Sequence, residues 1–285
     1  MAKKKNTKSP DEMSFLDHLE ELRWHLIRSV AAVVILGCVA FVFSRFIFDV
    51  IIFAPSRMDF PTYRFFCDIA TSLGFDSAFC KDKLPFSIQS RTMGGQFSAD
   101  IWTSIYVGFV IAFPYVLYEL WKFISPGLHP KERQHSRGFI LVASMLFFMG
   151  VLFGYYVVAP LSINFLGTYQ VSEIVLNEFD IDSYIGNVRT SVLACGVLFE
   201  LPIIIYFLTK VGIVTPEILK KYRKIALVVV LILSAVITPP DVTSQIIVAL
   251  PVILLYQVSI YISKVVLRRE AKKEQKAKEK GLKKT

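Results

Sequence analysis

Three carboxylates stand out by where they fall: Glu21 in "FLDHLEELRWHLIRSV", Glu132 in "WKFISPGLHPKERQHSR" and Glu200 in "LACGVLFELPIIIYFL". The first two lie in charged stretches beside apolar blocks, and the third lies inside such a block. Asp17 and Glu21 are four residues apart and share a helix face, which is mildly unfavourable in an isolated helix. Glu20 has Arg23 three residues on, whereas Glu21 has only His25 at i+4, a weak partner near neutral pH. Glu21 is thus the carboxylate left for a cation from elsewhere; the alternative is a solvated face beside lipid headgroups. Pro126 and Gly127 end one helix, and Pro130 suits the first turn of the next, where Glu132 would complement the helix dipole. Glu132 is either that compensation or a second member of an acidic patch with Glu21. Such a patch prefers guanidinium to ammonium, because the planar fork of Arg matches a carboxylate with two parallel hydrogen bonds.

Glu200 differs in kind. A carboxylate deep in an apolar helix must face protein, water or thinned membrane. Pro202 removes the hydrogen bond to Leu198 and predicts a kink that frees a carbonyl. The position is either a functional polar site or a structural polar anchor. Pro114 and Pro251 predict further bends in their own helices.

No other constellation supports catalysis. The sequence lacks HExxH, a GxSxG elbow, a Walker loop and a glycine-rich dinucleotide fingerprint. Its four histidines, His18, His25, His129 and His135, fall at one edge of the apolar blocks and read as surface or headgroup-level side chains. His18 and His25 could share a helix face, but no third ligand joins them, so no metal site is expected. No catalytic residue and no cofactor are assigned.

These residues are carried by a chain of 285 residues that is 54% hydrophobic and only 19% charged, against about a quarter charged in soluble domains. The apolar residues gather into six blocks, roughly 29–50, 101–120, 138–160, 188–209, 225–238 and 243–263, which predict an all-α polytopic membrane protein with six transmembrane helices. The fifth block holds 14 residues, about 21 Å of helix, against a hydrocarbon core of about 30 Å. The basic flanks "KKYRKI" before it and "KVVLRR" after the sixth block nonetheless require two crossings between ends of like charge, so it is read as a short span. "MAKKKNTKSPDEMSF" reaches no apolar run until Ser29, so the first span is expected to remain in the mature protein.

Charge sets the orientation. Of 32 Lys and Arg, 25 fall on one side: the N-terminal segment, the loops after spans two and four, and the tail from Lys264. The segment "LSINFLGTYQVSEIVLNEFDIDSYIGN" has no basic residue and four acidic ones. Both termini are therefore expected in the cytoplasm. The formal charge of +9 then follows from topology, and a nucleic-acid partner is not implied. Residues 1–13 read as a basic flexible N-terminus, 14–265 as the transmembrane domain, 51–99 as the first periplasmic loop, and 266–285 as a Lys-rich cytoplasmic tail near anionic lipids. Cys67 and Cys80 could form a disulfide in an oxidising periplasm, with two free thiols as the alternative. Cys38 and Cys195 lie within spans, as small buried side chains do.

Phe15, Leu19, Leu22 and Leu26 give the entry segment an amphipathic spacing, and Ser14 with Asp17 forms a candidate capping box at its start. The run "HLEELRWHLIRS", with His18, Leu19, Leu22 and Arg23, resembles the HLxELRxRL signature of the TatC family, the polytopic receptor of the twin-arginine protein translocase. "FPYVLYELWKFISPGLHPKER", "GVLFELP" and "ITPPDVTSQIIVALPVILLYQVSIYIS", which contains Pro239, Pro240, Asp241 and Gln245, resemble its later motifs in family order. The resemblance implies an inner-membrane, glove-shaped concave body with short fifth and sixth helices. It implies a receptor for Arg-Arg signal peptides of folded precursors, with the two peptide-binding glutamates falling on Glu21 and Glu132. It places on Glu200 the acidic residue that meets a TatA- or TatB-type single-span helix. It further implies self-association in the translocase and transport driven by the proton-motive force.

The chain departs from the family pattern at three places. "ELRWHL" puts Trp24 and His25 where the signature has a second basic residue; Glu119 stands where many relatives have Gln; and the stretch around 60–85, with both loop cysteines, resembles an insertion. Glu119 is read as an edge residue facing the cytoplasm. Two rival functions are a proton- or cation-coupled secondary transporter using Glu200 and a non-catalytic membrane scaffold. Against the transporter, the spans show no evident paired repeat with matching discontinuous segments.

Overall fold

The computed structural model describes residues 15–74, 80, 84–124, 136–172, 174–238 and 242–282. Glu132, Pro126, Gly127, Pro239, Pro240, Asp241, the N-terminal segment with Ser14, and two of the four histidines, His129 and His135, lie outside these residues. In chain order the helices are α1 (Phe15–Val42), α2 (Pro61–Ser72), α3 (Gly95–Ile124), α4 (Ser136–Phe153), α5 (Ala159–Thr168), α6 (Ile181–Phe199), α7 (Leu201–Lys210), α8 (Pro216–Lys221), α9 (Arg223–Ile237) and α10 (Val242–Leu282). Widened π-helical turns at Gly154–Val158 join α4 to α5. Two four-residue strands, β1 (Phe86–Gln89) and β2 (Asn177–Asp180), pair in parallel with Phe86 opposite Asn177 and Gln89 opposite Asp180. The otherwise helical chain thus contains a small sheet that its hydropathy does not signal, because strands this short carry too few residues to show a period of two.

Among the described residues five stretches are long and apolar enough to cross a membrane: Leu19–Val42, Gly95–Ile124, Gly138–Thr168, Ile181–Lys210 and Ser244–Arg269. The first begins ten residues earlier than the apolar block does, because the charged entry segment continues into the span as one helix. The fifth apolar block forms α9, which has 15 residues and is about 22 Å long. Helix α3 continues through Pro114, and α10 through Pro251.

The chain divides into two compact units, Met1–Phe48 with Gly94–Met145, and Asp49–Met93 with Leu146–Thr285. In the first, α1 packs along α3 at very short range. A Cβ on Gly108 would stand 2.5 Å from the Gly37 nitrogen and 2.7 Å from the Val33 carbonyl oxygen. Only glycine admits that approach, the small-residue packing expected where apolar helices gain little from burial.

In the second unit, a Cβ on Gly150 would lie 2.5 Å from the Cys195 carbonyl oxygen, so α4 and α6 are likewise in backbone contact. Tyr63, wholly buried on α2, places its hydroxyl 2.8 Å from the Pro55 carbonyl and 3.0 Å from that of Pro160. Those bonds tie α2 to two backbone carbonyls, and burial pushes the Tyr63 hydroxyl pKa well above its usual value. Cys67, also on α2, is joined to Cys80 in a disulfide. Asp180 caps α6 by accepting from the Asp182 amide at 3.2 Å.

Helices α7, α9 and α10 surround two apolar clusters of this unit. Ile205, Leu219 and Ile260 form one, and Val230, Ala249 and Val252 form the other, with Leu198 and Leu201 against it. The polar links are few and specific: Thr209 donates to Ser263 at 2.9 Å, and Gln245 donates to the Leu231 carbonyl at 3.0 Å, tying α10 to α9.

Candidate functional site

Glu21 lies on α1, in the first unit. Its Oε2 is buried and has no hydrogen-bond partner among the described residues. The spacing that offers His25 as its partner is not used. His25 turns instead to α3, where its Nδ1 lies 2.6 Å from Oε2 of Glu119. Arg28, three residues on along α1, stands 3.8 Å from the same oxygen, and Lys122 on α3 stands 3.7 Å from the other.

Glu119 is therefore not an edge residue facing water. It is 2% exposed, and the His25 side chain is 11% exposed, which also corrects the reading of His25 as a surface histidine. The physical reason is that α1 and α3 come into backbone contact, so a carboxylate on the shared face is shut off from solvent and must take its partners from the helices themselves. The consequence for Glu21 is direct: His25, the partner its spacing offered, is committed to Glu119. His18, Leu19, Leu22 and Arg23 lie on the same helix, with Leu19, Leu22 and Arg23 exposed.

Glu200 belongs to the second unit. It falls between α6 and α7, with φ −75° and ψ −8°, and is 8% exposed. The expected break at Pro202 is present: α6 ends at Phe199 and α7 begins at Leu201. The Glu200 amide bonds back to the Val197 carbonyl at 3.1 Å, and its own carbonyl accepts from Ile203 and Ile204 at 3.0 Å, so the backbone around the break remains paired. The side chain does not follow suit. Oε1 is buried with no hydrogen-bond partner among the described residues. Neighbouring Leu198 and Leu201 pack against the Val230, Ala249 and Val252 cluster.

Among the described residues no group of three His, Cys, Asp or Glu could hold a metal ion. What the geometry offers is two carboxylates with a buried, uncompensated oxygen each. That arrangement suits recognition of a donor group.

Similarity to known proteins decides the family. Residues 17–251 match the family described as Sec-independent protein translocase protein (TatC). The chain belongs to the TatC family. The protein of that name from Blattabacterium sp. subsp. Periplaneta americana (strain BPLAN) is 44% identical over 260 residues, covering 91% of this chain and 97% of that protein. The one from Aquifex aeolicus (strain VF5) is 34% identical over 266 residues, covering 93% of this chain and 100% of that protein. A solved structure described as "Crystal Structure of Twin Arginine Translocase Receptor- TatC" superposes with a TM-score of 0.66 at 33% identity, covering 88% of this chain and 99% of that one. Membership makes the chain a multi-pass inner-membrane protein acting in protein translocation, with no catalytic role.

Proposed function

We propose that this chain is the receptor and core subunit of a twin-arginine translocase, and that Glu21 accepts a guanidinium from the Arg-Arg motif of a folded precursor's signal peptide. The observation that carries the reading is the buried Glu21 oxygen without a donor, on a helix whose one candidate partner, His25, is bonded to Glu119. An arginine fork would supply the missing donors and gain charge assistance. Glu132 is the second acceptor of the pair, which suits two consecutive arginines. Glu200 serves the other contact, meeting a polar residue on a TatA- or TatB-type single-span helix.

In this reading the chain crosses the membrane six times, with α9 as the short fifth span, a concave glove-like body and both termini in the cytoplasm. Residues 14–265 form the translocase domain, 51–99 the first periplasmic loop, and 266–285 a cytoplasmic tail beside anionic lipids. The receptor self-associates in the translocase, and the proton-motive force drives export. The secondary-transporter and scaffold readings gain no support from a family match that spans all three carboxylates.

Site-specific crosslinking tests the proposal. Photoreactive residues at positions 21 and 132 should capture a twin-arginine precursor in membranes, and one at position 200 should capture a single-span partner. Capture of the precursor only from position 200 would contradict the assignment.

A further inference from the structure

We infer that the second unit carries a binding site for the phosphodiester headgroup of an anionic phospholipid, built from Lys220, Arg223 and Lys264. These residues, with Gln257, Ile260 and Tyr261, line a cavity of about 270 Å³. A single ordered water needs only about 10–15 Å³ of such space, so the cavity admits a polyatomic group. Neither Glu21 nor Glu200 lines it.

The cavity is held open by a fixed frame. Helix α8 is capped by Thr215, whose hydroxyl accepts from the Ile218 amide at 3.4 Å, and starts with Pro216. Tyr256 on α10 donates to the Leu219 carbonyl at 2.9 Å and fastens α8 to α10. Beneath them Ile205, Leu219 and Ile260 pack as a floor. Lys220 therefore comes from the end of α8, Arg223 from the start of α9, and Lys264 from α10, so three separate elements each supply one cation.

Their charges are only partly offset from within. The Lys220 and Lys264 ammonium groups lie side by side, and Arg268, one turn after Lys264, adds to the same field. The carboxylate that acts on Lys220 and Lys264 is Glu217. It is exposed, and its pKa is held down first by its own backbone amide, then by the Thr215 hydroxyl, and further by the fields of Lys220 and Lys264. Among the described residues no carboxylate lies within ion-pair distance of Lys220, Arg223 or Lys264. Three like charges on a preformed frame are mutually repulsive when empty, and one phosphate with several acceptor oxygens relieves all three contacts at once.

The surface around the cavity selects a lipid over free phosphate. Leu254, Val258 and Tyr261, spaced four and three residues apart on α10, are exposed in a line that ends at the cavity, Tyr261 by 69%. That stripe gives an acyl chain an apolar track, with an aromatic ring at headgroup level. The site sits at the end of the span Ser244–Arg269, where a basic pocket between helices meets anionic headgroups.

The test measures retention of phosphatidylglycerol by the purified full chain, by native mass spectrometry and by titration into phosphatidylcholine nanodiscs. Lys220→Gln, Arg223→Gln and Lys264→Gln should each weaken retention about fivefold, and the triple variant about a hundredfold. Lys264→Arg should retain binding, which separates loss of charge from loss of fold. Neutralising Lys278, Lys280, Lys283 and Lys284 in the tail should leave the stoichiometric lipid in place. Retention unchanged in the triple variant, or lost on tail neutralisation alone, would overturn the proposal. Thermal protection by inorganic phosphate equal to that by phosphatidylglycerol would overturn the lipid assignment in favour of a free anion.

Discussion

His25 and Glu119 are hydrogen-bonded at 2.6 Å across α1 and α3. In the sequence each reads as a departure from the pattern the chain resembles. Taken singly, each looks like a local oddity. Together they form a pair, in which Glu119 on α3 engages His25 on α1 and leaves Glu21 without it.

Breaking that pair has a defined cost. His25→Ala removes the short bond and leaves the buried Glu119 carboxylate to Tyr115, to Arg28 at 3.8 Å and to Lys122 at 3.7 Å, which should destabilise the chain by about 1–3 kcal/mol. Glu119→Gln keeps an acceptor and should cost about 1 kcal/mol or less. Thermal unfolding in detergent, run as a double-mutant cycle of His25→Ala with Glu119→Ala, which does remove the acceptor, checks the coupling. Strict additivity of the two single changes would show that the bond contributes nothing.

The α1 and α3 contact depends on Gly108. Gly108→Ala inserts a methyl where the Gly37 backbone already stands, so the helices must separate; a loss of about 1–3 kcal/mol is expected. Gly138, whose added Cβ would meet nothing within 4 Å, is the control and should tolerate Ala. Equal melting temperatures for the two variants would show that the close approach is not required.

Tyr63 ties α2 to the Pro55 and Pro160 carbonyls. Tyr63→Phe should cost about 1–3 kcal/mol near neutral pH, because both acceptors lose their donor. The hydroxyl's pKa is raised above its usual 10.0 in the folded chain by burial, so its stabilisation is complete below about pH 10. Above that it is lost by about 1.4 kcal/mol per pH unit, as the unfolded chain releases the proton first. Denaturation followed from pH 8 to 11 should show a shallower alkaline fall for the Phe variant. Parallel curves would contradict a buried, protonated Tyr63.

Glu200 should trade stability for function. Its buried oxygen lacks a hydrogen-bond partner among the described residues, so Glu200→Ala should leave the melting temperature unchanged or slightly raised. Association with a single-span partner, read by co-purification, should fall. A strong loss of stability with normal co-purification would instead make Glu200 a structural anchor.

Much of this was legible in the sequence, for identifiable reasons. Uninterrupted apolar runs expose spans directly, and the break at Glu200 follows from Pro202, whose effect on a helix is local. Span ends were less legible. Residues 19–28 mix charge with leucine and join the span only because the helix continues through them. The His25 and Glu119 bond was hidden because the partners are 94 residues apart and each has a plausible local explanation. The signal available was their coincidence as departures from one signature. The cavity at Lys220, Arg223 and Lys264 was equally hidden, since a count of basic residues assigns them to topology alone.

The central claim is that the Glu21 carboxylate receives a guanidinium. The most direct measurement titrates purified protein, wild type and Glu21→Gln, with a signal peptide carrying Arg-Arg and with the same peptide carrying Lys-Lys. The wild type should favour Arg-Arg strongly, and Glu21→Gln should lose at least about thirtyfold in affinity for it, as expected for a stranded charge-assisted contact. Equal affinity of both proteins for the Arg-Arg peptide would contradict the account.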